Sequence, residues 1–407
     1  MKQTLWSKNF TIITLGTVIS AIGGVAMGFA LSFVVFDNTV STFLSALFTA
    51  VSALPQIVLP VLISPYLDNF RRKPVVVGLD YLMGVFYLLF GWYLLRHSFN
   101  LPLYLIFSLL CSSIGAVYSL AYSSLYPKLI PAGFAQKGYT VSGMLYPTVT
   151  VVMTPIASIL YDRVGLGIIC LGEGVLLAIA ATVERQIRVE ETTHQGGKFD
   201  LHAYLQDFMD GFSYLKQEKG LLRIYSYMPV CQGISQATDP LIRAVFRTTP
   251  GLDITMYAFF TTAEFIGRTI GGFVHYRFEI PPERRFSLAY LVYINYSLMD
   301  TVLLWLGFPL MLINRSICGF LGINSATLRE SSVQNYLPDH MRAKINAVFN
   351  ALYALVPTVL TIAVGALGEV MDYRLCVSLV SLFGVLPCYL IMWRGRDAVK
   401  TVYNRKY

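Results

Sequence analysis

The sequence predicts an all-α polytopic membrane protein with twelve transmembrane helices in two pseudo-symmetric six-helix bundles. Of its 407 residues, 55% are hydrophobic and 13% are charged, whereas soluble domains carry nearer a quarter charged residues. The apolar residues form continuous runs without the period-2 alternation of a membrane β-barrel. Lys and Arg are also concentrated in alternate loops, which is typical of a multi-pass helical protein.

Twelve apolar runs are long enough for helices that cross a bilayer core of about 30 Å. The seventh run is the least apolar of the twelve. The predicted spans are 9–36, 42–63, 75–95, 101–125, 138–162, 164–183, 221–247, 254–275, 286–306, 308–328, 342–368 and 372–393.

The basic residues predict the orientation of these spans. The loops on the side of both termini hold 23 Lys and Arg, and the loops on the other side hold 5. Basic loops remain in the cytoplasm, so both termini are predicted to be cytoplasmic, in the inner (cytoplasmic) membrane of a bacterial cell. The net charge of +8 is thereby explained by orientation, and no nucleic-acid partner is expected.

A polar stretch divides the chain into three parts. We predict an N-terminal six-helix bundle (1–183), a cytoplasmic linker with an amphipathic interfacial helix (184–220) and a C-terminal bundle (221–407). Asp200 is placed to cap the linker helix. Pro131 and Lys137 recur 207 residues later as Pro338 and Lys344, which indicates a parallel duplication, a known construction of transporters.

Four short stretches are together characteristic of one family. They are Leu67-Asp68-Asn69-Phe70-Arg71-Arg72-Lys73 followed by Gly78-Leu79-Asp80, Ser113-Ile114-Gly115 with Pro127-Lys128-Leu129-Ile130-Pro131, Asp210-Gly211-Phe212-Ser213-Tyr214-Leu215-Lys216-Gln217-Glu218-Lys219-Gly220, and Leu337-Pro338-Asp339-His340-Met341-Arg342. With these stretches in order on twelve spans, the chain resembles the major facilitator superfamily over essentially its whole length. More narrowly, it resembles the macrolide-efflux and enterobactin-exporter-like branch. The resemblance implies a cavity lined by the first, fourth, seventh and tenth helices.

The first stretch also predicts a cytoplasmic gate. The superfamily's loop motif places an acidic residue before basic ones, and Asp68, Arg72 and Lys73 match it, whereas Asn69 and Arg71 depart from it. We hypothesise that Asp68 and Asp80 pair with Arg71, Arg72 and Lys73, or with the helix end of another span, as a cytoplasmic latch that stabilises the outward-open state. The alternative is that these cations serve as topology signals alone.

Charged residues inside membrane helices are costly and are candidates for function. Gln232, Gln236, Asp239 and Arg243 form one stripe on the seventh helix, and Arg315 lies in the tenth. These residues are predicted to face the substrate. The alternative is internal pairing, such as Asp239 with Arg243 or Glu264 with Arg268.

Other side chains are candidates for a cavity wall and for proton coupling. Tyr118 and Tyr122 share a face of the fourth helix, and Tyr146 of the fifth could join them; plain packing is the alternative. Glu173 and Glu264, with Arg268 beside the latter, are candidate proton carriers. Asp37 and Asp300 are expected to be solvated near the outer surface. The proton candidates and the two outer acids are thus predicted to differ in burial.

The sequence contains no Walker A, GxSxG, HExxH or strand-borne GxGxxG pattern. We therefore expect no enzyme activity, no cofactor and no metal, and we expect the energy to come from an ion gradient or from the substrate's own gradient. The leading hypothesis is proton-linked efflux of a small amphipathic organic compound by a monomer in the lipid bilayer. The alternatives are an uptake carrier, a flippase for a lysolipid or other amphiphile, or a non-transporting sensor.

Overall fold

The computed structural model describes residues 4–67, 70–131, 133–189, 191, 200–278 and 280–405. These residues form helices joined by short loops, with no strand among them, which confirms the all-α prediction. The α-helices are α1 (Lys8–Thr39), α2 (Thr42–Leu67), α3 (Arg72–Leu94), α4 (Leu101–Leu129), α5 (Ala135–Glu184), α6 (Leu201–Gln217), α7 (Lys219–Thr248), α8 (Ile254–Arg277), α9 (Pro282–Val302), α10 (Phe308–Tyr336), α11 (Asp339–Leu367), α12 (Tyr373–Phe383), α13 (Val385–Pro387) and α14 (Arg396–Tyr403). A 3₁₀-helix covers Leu303–Trp305, and a π-helix covers Cys388–Trp393.

Within the described residues, eight helical segments are long and apolar enough to cross a membrane, judged by length and composition. They are Lys8–Thr39, Thr42–Ile63, Arg72–Leu94, Leu101–Leu129, Lys137–Glu184, Pro282–Trp305, Lys344–Leu367 and Tyr373–Trp393. Helices α7, α8 and α10 have 30, 24 and 29 residues but are more polar. A multi-pass membrane protein is confirmed, whereas the count of twelve crossings stays a prediction.

Helix α5 covers two of the predicted spans. Its backbone breaks at Gly165, where φ is 74° and ψ is 172°. A positive φ of this size is the conformation that glycine adopts without a steric penalty. The break follows Arg163, the residue that the sequence places in the loop between the fifth and sixth spans. Two helical segments therefore meet where the prediction separates them.

The chain divides into two compact units. The first comprises Met1–Val40 and Val51–Phe199, and the second comprises Ser41–Ala50 and Asp200–Tyr407. The division after residue 199 falls inside the predicted linker. The predicted domain limits at 183 and 220 stay predictions.

Within the first unit, α5 packs against α1 and α3. Glycines allow the closest approach: a Cβ on Gly84 of α3 would lie 3.0 Å from the carbonyl oxygen of Gly174 in α5. Small residues at such crossings let membrane helices come into backbone contact. This packing brings acidic residues of α3 and α5 into the same interior.

Within the second unit, α8 and α10 are in backbone contact. A Cβ on Gly267 would overlap the carbonyl of Ser316, and one on Gly319 would overlap the carbonyl of Glu264. The lack of side chains at both glycines allows this approach. It positions the charged side chains of α8 beside those of α10.

The predicted amphipathic helix is present as α6. Asp200 Oδ1 accepts a hydrogen bond from the His202 N–H at 2.9 Å, as expected of a cap. Lys344 of α11 forms salt bridges with Asp207 at 2.8 Å and Asp210 at 2.7 Å. Leu215 is buried, so one face of α6 packs on its own unit. Glu190 and residues 192–199 of the predicted linker lie outside the described residues.

Candidate functional site

A cavity of about 230 Å³ lies among α7 to α11 in the second unit. Its wall combines amide, hydroxyl and guanidinium groups with aromatic and aliphatic side chains, as small-molecule sites do. The residues that line it are Met228, Cys231, Gln232, Ser235, Arg268, Val292, Tyr293, Tyr296, Gly322, Ser325, Ala326, Arg329 and Tyr353.

Of the predicted polar stripe on α7, Gln232 lies on this cavity. The Tyr353 hydroxyl of α11 donates to Gln232 Oε1 at 3.0 Å. That bond leaves the amide nitrogen of Gln232 available as a donor. Gln236 is half-buried and is not among the described residues that line the cavity, so its substrate contact stays a prediction.

Asp239 and Arg243, the other two residues of the stripe, pair with each other. Their side chains form a salt bridge of 2.5 Å, and the Tyr257 hydroxyl donates to Asp239 Oδ1 at 2.8 Å. Arg243 is 7% exposed. This arrangement is the internal pairing that the sequence leaves open, and a role for either residue in substrate contact stays a prediction.

A four-residue charge network connects α8, α9 and α10. Glu264 pairs with Arg268 and with Arg315, at 2.8 Å in each case. Arg315 pairs also with Asp300 at 3.2 Å. Two guanidinium groups thus balance two carboxylates, so the network carries no net charge. The predicted pairing of Glu264 with Arg268 is present, and Arg268 in addition lines the cavity.

The expectation that Asp300 is solvated is wrong. Asp300 is 7% exposed and lies in the network with Arg315. A carboxylate is tolerated in such an interior when a cation compensates for the water that it loses. The predicted substrate contact of Arg315 stays a prediction, because two carboxylates already hold its guanidinium group.

Arg329 is a cavity residue that the sequence analysis missed. It was counted with a cytoplasmic loop because the apolar run ends at residue 328, but α10 continues to Tyr336. Its Nη1 lies 3.2 Å from Met228 Sδ, and no carboxylate of the described residues pairs with it. The sequence signal that could have placed Arg329 within the helix was Pro338, because a proline marks the helix end several residues further on.

Among its described residues, the first unit buries three carboxyl groups. Asp80 of α3 is 2% exposed, Glu173 of α5 is 4% exposed and Glu184 at the end of α5 is 0% exposed. At least one oxygen of each has no hydrogen-bond donor within the described residues. Glu173 lies against Gly23 of α1, where a Cβ would overlap its carboxylate.

The predicted tyrosine wall is a stacked series on α4. Rings of Tyr118 and Tyr122 have centroids 5.8 Å apart, and Tyr122 and Tyr126 are 5.5 Å apart. The Tyr122 hydroxyl shares a hydrogen bond of 2.7 Å with Thr17 of α1. Tyr146 is 57% exposed. The stack therefore packs on α1, and a role in the cavity stays a prediction for all of them.

The predicted gate is described in part, because Asp68 lies outside the described residues. Arg72 donates from Nη1 to the carbonyls of Leu67 and Phe70, where a cation suits the end of α2. Glu191 accepts hydrogen bonds of 3.0 Å from the backbone N–H groups of Arg72 and Lys73.

Asp80 makes no salt bridge with Arg71, Arg72 or Lys73 in the described part of the chain. It lies instead where α3 packs on the last turn of α5, which ends at Glu184. The latch stays a prediction, and Asp80 lies in the buried interior rather than among the surface cations of the gate.

Comparison with known proteins identifies the family. The sequence model of the Major Facilitator Superfamily matches residues 13–355. No curated protein sequence matches the chain.

Solved transporters share the fold over nearly the whole chain. The nucleoside transporter NupG has a TM-score of 0.70 at 11% identity, covering 95% of this chain and 98% of its own. A bacterial homologue of the iron transporter ferroportin has a TM-score of 0.70 at 14% identity, covering 97% and 99%. A bacterial homologue of the human lysosomal transporter Spinster has a TM-score of 0.62 at 13% identity, covering 97% and 93%.

At these identities the structures show the fold alone. The family match and the membrane helices agree with it and point to a transporter rather than an enzyme. This chain belongs to the Major Facilitator Superfamily and is a membrane transport protein.

Proposed function

We propose that the protein is a secondary active transporter that moves a small amphipathic organic compound by alternating access. The cavity of about 230 Å³ carries this proposal. Its tyrosine rings and its Met and Val side chains suit an apolar body, and Gln232 and Arg329 suit a polar group. A cavity of this composition among membrane-spanning helices would be costly to maintain without a ligand to use it.

Arg329 further indicates the charge of the compound. The network of Arg268, Arg315, Glu264 and Asp300 is balanced, whereas Arg329 adds a positive charge that forms no ion pair with a carboxylate of the described residues; the neighbouring Glu330 interacts with it electrostatically and is itself exposed. A buried cation is stabilised by an anionic partner and by hydrogen bonds. The proposed substrate is therefore an organic anion or a zwitterion whose acidic group contacts Arg329.

We further propose efflux driven by protons, as the resemblance to the macrolide-efflux and enterobactin-exporter-like branch implies. Of the two candidate proton carriers, Glu173 is favoured. It is buried without a cation, whereas two arginines hold Glu264 in its ionised form. Twelve crossings, cytoplasmic termini and a bacterial inner membrane complete the proposal and rest on the charge distribution of the loops.

Flux into proteoliposomes tests the proposed function. Purified full-length protein is reconstituted and exposed to size-matched aromatic anions, aromatic cations and a fluorescent lysophosphatidylcholine. We expect flux of anionic probes above that of protein-free vesicles. Preferred movement of the lysolipid between leaflets would favour a flippase, and no flux with any probe would contradict the proposal.

Arg329→Gln tests the anion contact in the same vesicles. Loss of a charged hydrogen bond is worth about 1.5–3 kcal/mol, so we expect the apparent affinity for the anionic probe to fall roughly 10- to 150-fold. Arg277→Gln is the matched control, because Arg277 is an exposed arginine at the end of α8. Equal effects of the two substitutions would contradict a direct contact with Arg329.

A further inference from the structure

Asp80 of the predicted gate and Glu184 are neighbouring buried acids, and the proposed transport function does not use them as a pair. Asp80 lies in α3 and Glu184 ends α5. The two helices pack together at this level, where the hydroxyls of Tyr81 and Thr182 share a hydrogen bond of 2.8 Å, and the two carboxyl groups interact electrostatically. Both residues are buried, at 2% and 0% exposure. Two ionised carboxylates have no proton to donate, so a hydrogen bond can join the two groups only when one of them is protonated.

The surroundings of this pair supply no compensating charge. Asp80 Oδ2 and both oxygens of Glu184 lack a donor, and no Lys, Arg or His of the described residues forms a salt bridge with either group. On the side of α1, Gly16 leaves the space that the Glu184 carboxyl fills, since a Cβ there would overlap it. The Thr14 hydroxyl on the same helix is also buried without a partner.

The titratable groups that face the pair are neutral or acidic. Tyr118 and Tyr122 face it from α4, and the Tyr122 hydroxyl already bonds with Thr17. Glu173 faces Asp80 from within α5. Arg185 follows Glu184 but is exposed. Every buried neighbour therefore increases the cost of two negative charges at this point.

Burial of two adjacent carboxylates without a cation is strongly unfavourable, and a single proton removes both difficulties. It cancels one charge, and it provides an O–H donor for an acceptor that otherwise has none. A metal ion is a poorer fit, because no group of three or more acidic, His or Cys residues within the described ranges is arranged to hold one.

We propose that Asp80 and Glu184 share one proton and form a proton-binding site within the first unit, in addition to Glu173. Glu173 and Glu184 are separated by about three turns on one face of α5, and both lie against glycines of α1, Gly23 and Gly16. Use of this proton in transport rests on the proposed function, but the existence of the shared proton does not.

Infrared spectroscopy of the purified full-length protein tests this inference directly. The C=O stretch of a protonated carboxyl is distinct from that of a carboxylate and shifts in heavy water. We compare wild type, Glu184→Gln and the double variant Asp80→Asn/Glu184→Gln at neutral pH in sodium-free buffer. Glu369→Gln is the matched control, because Glu369 is exposed and accepts several hydrogen bonds that favour its ionised form.

We expect Glu184→Gln to remove the protonated-carboxyl intensity of one group and the double variant to remove no more. The control should leave the intensity unchanged. No loss in either variant would overturn the proposal, because both groups would be ionised. A loss twice as large in the double variant would also overturn it, because each group would hold its own proton. The amide pair of the double variant can still hydrogen bond, which preserves the packing, and size-exclusion chromatography verifies the fold.

These outcomes are separate from those of the transport proposal. The infrared measurement needs no substrate, so a missing shared proton would leave the flux result unaffected. An inactive protein could equally retain the shared proton.

Discussion

The two units of this transporter differ in whether their buried carboxyl groups are paired with cations. In the second unit, Glu264 and Asp300 are paired with arginines, and Arg329 remains as a surplus cation at the cavity. In the first unit, Asp80, Glu173 and Glu184 are buried without any cation among the described residues. This difference supports the proposals that the second unit binds an organic anion and that the first unit binds protons.

The largest expected loss of stability comes from removing an arginine that neutralises the buried carboxylates of the second unit. Arg315→Gln leaves the carboxylates of Glu264 and Asp300 without their shared partner. Removing one partner of a buried ion pair costs about 3–5 kcal/mol. We expect a loss of that size in the free energy of unfolding, measured by denaturant titration in mixed micelles.

Arg329→Gln is the control for that substitution. It removes a cation that pairs with no described carboxylate, so we expect the free energy of unfolding to change by less than about 1 kcal/mol. Equal losses for the two arginines would show that the contrast between paired and surplus cations is wrong.

The next largest expected change in stability concerns the packing of α1 against Glu173 in the first unit. A Cβ on Gly23 would overlap the Glu173 carboxylate, whereas a Cβ on Gly28 meets nothing within 4 Å. We expect Gly23→Ala to lower the free energy of unfolding by about 1–3 kcal/mol through overpacking.

Gly28→Ala, on the same helix, should instead be neutral or should stabilise by about 0.5–1 kcal/mol, because alanine favours helix. The apparent unfolding temperatures in detergent compare the two variants. A loss at Gly28 as large as that at Gly23 would contradict the described packing of Glu173.

The sequence predicts most of the fold and only part of this contrast. Apolar runs, helix-stop prolines and the capping residue Asp200 are local signals, and they predict the helices and α6. The pair of Asp80 and Glu184 joins residues 104 positions apart, through the contact of α3 with α5, and local patterns contain no information on that contact.

The wrong predictions for Arg329 and Asp300 have the same physical origin. The predictions of a loop position for Arg329 and a solvated position for Asp300 both use hydropathy to mark the ends of helices. Backbone hydrogen bonds extend a helix through polar residues, and an ion pair lets an acid be buried beyond the apolar run. The cavity position of Arg329 and the burial of Asp300 become visible only from the residues that they contact on other helices.

The smallest predicted effect concerns an acid that is neither deeply buried nor paired with a cation. Glu369 accepts hydrogen bonds from the Ser41 hydroxyl at 2.7 Å and the Phe43 N–H at 2.8 Å at the start of α2, and residues Ser41–Ala50 belong to the second unit. Burial opposes ionisation, but these hydrogen bonds outweigh it and hold the pKa of Glu369 below its ordinary value.

A lowered pKa in the folded state means that this stabilisation is fully present above the unfolded value of about 4.3. It is lost as the pH falls through the folded value. Because Glu369 is exposed, we expect Glu369→Gln to cost only about 0.5–1 kcal/mol at neutral pH. The unfolding temperatures of wild type and variant should converge below pH 4. A difference that persists there would show that the carboxylate is not its source.

The most direct test of the division of tasks is the response of flux to a pH gradient in proteoliposomes with and without Glu173→Gln. The account predicts that a gradient accelerates net flux of the anionic probe in wild type. In the variant, exchange of labelled for unlabelled probe should persist while the acceleration disappears, because the cavity remains and the carboxyl of Glu173, the proposed carrier of the coupled proton, is lost. Acceleration of equal size in both proteins would contradict the claim that Glu173 carries the coupled proton.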